Sequence, residues 1–159
     1  MADSVRERIM KHLQTTLETI TVANGYANTL NLVERCLQRG QSLNPPMAYL
    51  LEGSDDTQEG GPLSGNGGLL SRQFDVGIVL LVQQDEDTDA KSASEVMNSL
   101  IADVQEALQL DVRRGDLAVN TEETSVSPVQ IEEGQPMLSC TVAYRISYRH
   151  SRLDPTQAG

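Results

Sequence analysis

The sequence predicts an α+β fold, in which an antiparallel β-sheet of strands of mixed length carries two α-helices on one face. Two observations lead to this prediction. Two segments place apolar residues at helical spacing behind a capping box, and the segment 138–149 alternates apolar and polar residues without interruption. The predicted order along the chain is helix, three strands, helix, two strands, or α-β-β-β-α-β-β.

Capping boxes mark the start of both predicted helices. In Ser4-Val5-Arg6-Glu7, and again in Ser92-Ala93-Ser94-Glu95, a serine hydroxyl and a glutamate carboxylate each satisfy a backbone donor of the first turn. The first helix is predicted from Val5 to Ile20, with Asn24-Gly25 as its end, and the second from Ser92 to Leu110. Each has an apolar stripe that suits packing against a sheet.

Short apolar and β-branched runs predict the remaining strands. Residues 29–37 and 47–51 are separated by Asn44-Pro45-Pro46, and we expect them to pair as a hairpin. The apolar run 76–82 is typical of a central strand covered on both faces. A further strand is predicted over 117–131, where a proline indicates an edge position or a bulge.

The last strand, 138–149, is the element around which the rest of the sequence is organised. Its apolar face holds Leu138, Cys140, Val142, Tyr144, Ile146 and Tyr148. Its polar face includes Arg145 and Arg149. At roughly 3.3 Å per residue this strand is about 40 Å long. We expect one face to lie in the core and the other to be available to water or to a partner.

Composition predicts one domain with two irregular parts. Residues 1–152 are predicted to form a single α+β domain, because a chain of 159 residues is large enough for one hydrophobic core. Within it, the Gly- and Ser-rich stretch 53–71 is predicted to be a mobile loop that becomes ordered only against a neighbour. Residues 153–159 are predicted to be a C-terminal tail.

The net charge restricts the partners that this chain can bind. Its 23 Asp and Glu residues exceed its 12 Lys and Arg residues, which gives a net charge of -11 at pH 7. Sequence-independent binding of nucleic acid needs clustered cations, so we expect nucleic acid to slide past this chain. The sequence has no signal peptide and no apolar run of about 18 residues, so we expect a cytosolic protein, or one assembled in the cytosol, without membrane contact.

No pattern in the sequence indicates a catalytic or cofactor site. The acidic run Asp85, Asp87 and Asp89 resembles the opening of a calcium-binding loop. However, the sixth position is Ala90 instead of Gly, and the twelfth is Val96 instead of Glu. Negative charge ahead of a helix N-terminus explains the run better. Hydrolase, phosphate-loop and dinucleotide motifs are absent, and we therefore expect no enzyme, no metal and no cofactor.

Arg145 and Arg149 belong to the one basic cluster of the sequence. Two interpretations of this cluster stay open. In the first, the arginines are solvated and pair with acids across the sheet. In the second, they form a row that meets an acidic surface of an identical neighbour, as head-to-tail ring packing would require.

The order of elements and several local motifs resemble one known family. The matching parts are the helix Val5 to Ile20, the segment Pro46 to Gly53, the strand Phe74 to Val82, the helix Ser92 to Leu110 and the closing stretch Gln135 to Arg149. Together these parts resemble the tail terminator proteins of long-tailed bacteriophages, which are also called tail completion or head-tail joining proteins. The resemblance covers nearly the whole chain.

The resemblance implies a structural virion protein without enzymatic activity. Such proteins form a homo-hexameric ring at the head-proximal end of the tail tube, stop tube polymerisation and join the tail to the neck or head. The implied partners are the tail tube protein, a neck or head-completion protein and, in contractile tails, the sheath protein. DNA passes through the lumen without specific binding. The implied location is the tail or neck of the virion, after assembly in the host cytoplasm.

The resemblance also implies which residues take part in interactions. The expected lumen or ring-edge acids are Asp85, Glu86, Asp87 and Asp89, and the expected subunit contacts are Arg145 and Arg149. Two other functions stay open at this point. One is another neck or head-completion connector protein, and the other is a small cytosolic α+β binding module or enzyme that uses a cleft beside the loop 53–71.

Overall fold

The computed structural model describes residues 1–37, 40–58, 68–84, 92–134 and 136–159. The elements in this part of the chain are α1 (Val5–Glu18), a 3₁₀ turn (Val22–Asn24), β1 (Leu32–Glu34), β2 (Met47–Thr57), β3 (Leu69–Gln83), α2 (Ala93–Gln109), β4 (Asn120–Val126), β5 (Gln130–Ile131) and β6 (Met137–Ser151). None of the helices in the described ranges is long and apolar enough to cross a membrane.

The strands of the described chain form one sheet of six strands, in the order β1-β2-β3-β6-β4, with β5 also paired to β6. At its centre, β3 and β6 are antiparallel and matched over all 15 residues of each strand, from Leu69 opposite Ser151 to Gln83 opposite Met137. The other side of β6 is occupied in turn by β5, by β4 and by a bridge from Ala158. The predicted α+β class is confirmed.

The sheet is mixed, although the sequence predicts an antiparallel one. β1 runs parallel to β2, with Leu32 opposite Met47 and Glu34 opposite Tyr49. The predicted hairpin between these two segments is therefore wrong. The connection 35–46 is longer than the usual hairpin loop of about 2–5 residues, and it lets the chain return and enter β2 in the direction of β1.

β2 and β3 extend from both sides into the stretch 53–71 that the sequence predicts as a loop. Residues 53–57 and 69–71 are strand, and residues 59–67 lie outside the described residues. The sequence predicts a loop at 53–71 because this stretch contains few apolar side chains. Composition gives no information on the backbone hydrogen bonds that the neighbouring strand β3 supplies.

A bulge and an ion pair keep this polar part of β2 in the sheet. The register shifts between Glu52 and Asp55, which is the mark of a β-bulge. Gly53 lies in the bulge, where an added Cβ would come within 2.9 Å of the carbonyl oxygen of Asp75. Beyond the bulge, the same two strands are joined by an ion pair, in which Arg72 Nε lies 2.8 Å from Asp55 Oδ1. The close approach of the Asp75 carbonyl therefore requires glycine at position 53.

The predicted starts of both helices are confirmed. The Ser4 hydroxyl accepts a hydrogen bond from the backbone N–H of Glu7 at 3.2 Å. The Ser92 hydroxyl accepts the equivalent bond from Glu95 at 3.3 Å. Each serine therefore satisfies one of the free donors in the first helical turn.

The first helix ends earlier than predicted. α1 stops at Glu18, whereas the prediction extends to Ile20. The Thr21 hydroxyl then accepts a hydrogen bond from the N–H of Asn24 and begins the 3₁₀ turn, which Gly25 ends at a φ of 96°. Ile20 is nevertheless fully buried, so the apolar stripe continues beyond the helix itself.

The core lies between the two helices and one face of the sheet. Its strand residues include Phe74, Val76, Ile78, Leu80, Cys140, Val142, Tyr144, Ile146 and Tyr148, and its helix residues include Ile9, Leu13, Leu17, Leu100 and Val104. Val79 and Leu81 alternate with the core residues of β3 and are buried as well. The predicted coverage of this strand on both faces is therefore confirmed.

The segment 153–159, which the sequence predicts as a tail, is docked against the domain. The carbonyl of Pro155 accepts a hydrogen bond from the N–H of Val5 at 2.9 Å. The carbonyl of Gln157 accepts one from the N–H of Ser151, also at 2.9 Å. The segment thus connects the start of α1 with the end of β6.

Asp103 connects α2 to the loop that precedes β1. Its side chain is buried, and the carboxylate accepts hydrogen bonds from the N–H of Ala27 at 3.0 Å and of Asn28 at 2.9 Å. The side-chain amide of Asn28 donates to the same carboxylate at 2.8 Å and to the Ser99 hydroxyl at 2.9 Å. Because a charged acceptor strengthens each bond, Asp103 anchors this loop to the helix.

Asp103→Ala is expected to lower the free energy of unfolding by about 3 kcal/mol, because two backbone N–H groups lose their acceptor. Urea unfolding followed by circular dichroism measures the loss. Ser99→Ala is the matched control, since it removes one neutral hydrogen bond from the same cluster and is expected to cost about 1 kcal/mol. Equal losses in the two variants would contradict the anchoring role.

Candidate interaction surface

The face of the sheet opposite the core, which we call the outer face, changes character along the strands. Near the start of β6 it is apolar and buried, with Met47, Val79 and Leu81 in adjacent positions. Toward the end of β6 it is polar, and it includes Arg145 and Arg149. The polar half is therefore the part of the sheet that a partner can reach.

Arg145 pairs with an acid across the sheet. Its Nε lies 2.9 Å from Oδ1 of Asp75, the residue directly opposite on β3, and Glu122 is opposite on β4. The hydrogen bond to Asp75 raises the pKa of the Arg145 guanidinium. The side chain remains 47% exposed. This geometry matches the first interpretation for Arg145, and contact with a neighbouring subunit stays a prediction.

Arg149 lies in a hollow at the end of the outer face. Its side chain is exposed and forms no ion pair with any residue that the structure describes. The hollow is open to solvent, and the empty space in it and above its mouth amounts to about 310 Å³. Its floor consists of two adjacent cross-strand pairs, in which Ser71 is opposite Arg149 and Gln73 is opposite Ser147.

Two neighbouring segments form the walls of the hollow. The N–H of Gln58, just after β2, donates to the carbonyl of Ser71 at 2.9 Å. The N–H of Val119, just before β4, donates to the carbonyl of Ser147 at 2.7 Å. These backbone bonds hold both walls in place. Two arginines line the hollow, and since Arg72 is paired with Asp55, Arg149 is the one left to bind a carboxylate or another anion beside hydroxyl and amide groups.

Both edges of the sheet carry features that oppose strand addition. β1 pairs with β2 only as far as Tyr49, so within the described residues the rest of this edge of β2 has no strand partner. The bulge of β2 lies in this unpaired part, between Glu52 and Asp55. β4 has a bulge between Glu123 and Ser125. Bulges and charged side chains on edge strands hinder pairing with another sheet. A partner is therefore expected to bind through side chains and not by extending the sheet.

An ion-pair network connects the start of α1 with β2 and β3. Its contacts are Arg6 to Glu52 at 3.0 Å, Arg35 to Glu52 at 2.5 Å, Arg35 to Glu7 at 2.6 Å and Arg72 to Asp55 at 2.8 Å. No motif in the sequence predicts this network. Arg6 and Glu52 are 46 positions apart, and no local pattern relates them.

Tyr148 joins this network from the core side of β6. Its hydroxyl donates to Asp55 Oδ2 at 2.8 Å, and its ring meets that of Phe74 edge to face with centroids 5.9 Å apart. Burial, together with the hydrogen bond to Asp55 and its charge, raises the pKa of Tyr148 to about 12. The phenol is therefore a neutral donor at physiological pH.

Arg114, in the loop after α2, is fully buried and was not identified from the sequence. Its guanidinium donates to the carbonyl of Leu108, and burial lowers its pKa. Arg114 and Asp116 adopt φ values of 51° and 63°, in the left-handed region that few non-glycine residues occupy. With no access to solvent, Arg114 is a structural residue of the loop.

The predicted acidic site residues, Asp85, Glu86, Asp87 and Asp89, lie outside the described residues. Their placement in a lumen or at a ring edge stays a prediction. In the remainder of the chain, which the structure does describe, no three His, Cys, Asp or Glu side chains are grouped so as to hold a metal. The described cysteines are both free.

Comparisons with known proteins leave the family open. No family model matches the sequence, and no curated protein matches it either. Among solved structures, this chain is similar to a chain from the virion of a native gene transfer agent particle, with a TM-score of 0.35 and 13% sequence identity. The similarity covers 91% of this chain and 90% of the other. A TM-score of this size does not establish a common fold.

Tyr148→Phe is expected to make stability less sensitive to alkaline pH. The raised pKa means that the unfolded chain loses its phenolic proton first, near pH 10, while the folded chain keeps it to about 12. This contribution to stability is complete below pH 10 and is lost as the pH rises to about 12. Urea unfolding at a series of pH values should show a steeper loss for the wild type than for the variant.

The matched control for this experiment is Tyr26→Phe, which removes a hydroxyl without a hydrogen-bond partner among the described residues. Its pH profile should follow that of the wild type. The same alkaline slope in the wild type and in Tyr148→Phe would contradict the prediction.

Proposed function

We propose that this chain is a structural virion protein, without enzymatic activity or cofactor, that forms a homo-hexameric ring at the head-proximal end of a phage tail tube. The ring stops polymerisation of the tube and joins the tail to the neck or head. Its partners are the tail tube protein, a neck or head-completion protein and, where the tail is contractile, the sheath protein. It acts in the tail or neck of the virion after assembly in the host cytoplasm, away from membranes.

The observation that carries this proposal is the polar half of the outer face. It lies on the longest strand pair of the sheet, β3 and β6, and combines an exposed ion pair at Arg145 with a free guanidinium at Arg149. Rigid strands hold these groups at defined positions, as a repeated contact between subunits requires. The resemblance of the element order to tail terminator proteins supports the same function.

The charge of the chain supports passage of DNA through the ring. With a net charge of -11, the subunit repels phosphate groups instead of retaining them. In this proposal Asp85, Glu86, Asp87 and Asp89 belong to the lumen or ring edge, and Arg145 and Arg149 belong to the contacts between subunits. DNA therefore passes the lumen without specific binding.

Negative-stain electron microscopy of the purified protein, alone and with purified tail tubes, tests the proposed function. Six-fold rings at one end of the tubes are expected, and tubes grown in the presence of the protein should stay short. Association with DNA-filled heads but not with tubes would favour another neck or head-completion connector. A protein that stays monomeric and leaves tube ends bare would contradict both structural functions.

Arg145→Glu is expected to leave the fold intact, because the side chain is 47% exposed, and to weaken ring closure, because it reverses the charge offered to the neighbouring subunit. Circular dichroism checks the fold, and the fraction of capped tubes measures ring closure. Arg113→Glu is the matched control, since the one ion pair of Arg113 among the described residues is with Asp116 at an exposed position. Unchanged capping by Arg145→Glu would remove Arg145 from the subunit contact.

A further inference from the structure

The two ends of β6 carry opposite charge. Ahead of the strand, Glu132 and Glu133 are exposed in a turn, and the N–H of Glu132 donates to the carbonyl of Met137 at 2.9 Å. At its other end, Arg149 and Arg152 are exposed and have no ion-pair partner in the described part of the chain. At about 3.3 Å per residue, the two ends are about 40 Å apart. One end of β6 is therefore acidic, and the other offers two unpaired arginines, with the exposed Asp56 of β2 opposite Gln73 as the nearby acid.

The hollow around Arg149 has the chemistry of a carboxylate site. Four residues earlier on β6, Arg145 is already neutralised by Asp75, whereas Arg149 has no such acid opposite it and faces Ser71 instead. A guanidinium offers two parallel N–H donors to a carboxylate, and nearby hydroxyls add further bonds. Because the hollow is open, a side chain on a protruding segment of a partner can enter it.

A second copy of this chain fits that requirement. The turn at Glu132 and Glu133 is exposed, acidic and located at the opposite end of the same strand. A head-to-tail contact needs two different and complementary surfaces on one subunit, and these two ends provide them. The alternative of joining sheets edge to edge is opposed by the bulges and acids of β2 and β4.

We propose that the Arg149 hollow of one subunit binds the acidic turn of the next subunit, with the Glu133 carboxylate on the guanidinium and Glu132 beside it. This inference rests on the proposed homo-oligomeric function, and it identifies the contact that this function requires. Repetition of the same contact closes a ring when each step adds a suitable rotation, and it produces a filament when it does not.

A charge swap tests the contact directly. Arg149→Glu and Glu133→Arg each place like charges together, so each single variant is expected to weaken subunit association at least about tenfold. The double variant restores an opposite-charge pair with its direction reversed, and association should recover. Sedimentation velocity and mass photometry over a concentration series measure association, in solution and on tail tubes.

Two controls separate this contact from other effects. Arg113→Glu makes the same change of charge at an exposed arginine outside the hollow, and it should associate like the wild type. Thermal unfolding should be alike for all variants, because Arg149 and Glu133 are both exposed. High salt should weaken association of the wild type more than that of either single variant, since the single variants lack the ion pair.

The outcomes distinguish this inference from the proposed function. If Arg149→Glu forms rings and caps tubes like the wild type, the inference is overturned and the proposed function stands. If the double variant fails to recover, or if the wild type never associates, the inference is also overturned. Recovery of the double variant in a protein that leaves tube ends bare would support the contact and contradict the tube function.

A mobility-shift assay with duplex DNA tests whether the hollow binds a phosphate group of DNA instead of a carboxylate. The expected result is no binding by the wild type at physiological salt, because the subunit is strongly acidic. Binding of DNA that Arg149→Glu abolishes, with association unaffected, would assign the hollow to phosphate and overturn the inference.

Discussion

The pairing of β3 with β6 over all 15 residues is the constraint on which the rest of the structure depends. Because side chains alternate along a strand, the register of this single pair decides which residues face the helices and which form the outer face. It brings Tyr148 to Phe74 in the core and sets Arg149 opposite Ser71 outside. A shift by one residue would turn the apolar set toward solvent, so burial of that set maintains the register.

The distribution of the few cations follows from this arrangement. Within the described residues, Arg6, Arg35 and Arg72 are held in ion pairs near the start of α1, which neutralises Glu52 and Asp55 of β2. Arg145 is paired across the sheet, and Arg149 is left free at the end of it. Because the chain as a whole has a net charge of -11, unpaired arginines at one end of β6 make the charge distribution of the subunit asymmetric. Directional charge favours oriented association and disfavours retention of DNA.

Prediction from the sequence succeeded where structure depends on neighbouring residues. The serine caps at Ser4 and Ser92 lie within a single turn, and both are present as expected. It failed where the partner is distant in the chain. The direction of β1 relative to β2 depends on the path of the connection 35–46, and the length of β2 depends on bonds to β3. The polar composition of residues 53–57 concealed a strand, because composition registers side chains and not backbone pairing.

By itself, the sequence determined the α+β class, the helix starts and the apolar and polar faces of the last strand, since periodicity and local hydrogen bonding carry that information. Only the tertiary structure decided that Asp75 neutralises Arg145 and leaves Arg149 free, and that Gln58 and Val119 enclose a hollow beside it. These features depend on distances between residues many positions apart. Strand register sets such distances, and no periodic pattern along the chain encodes them.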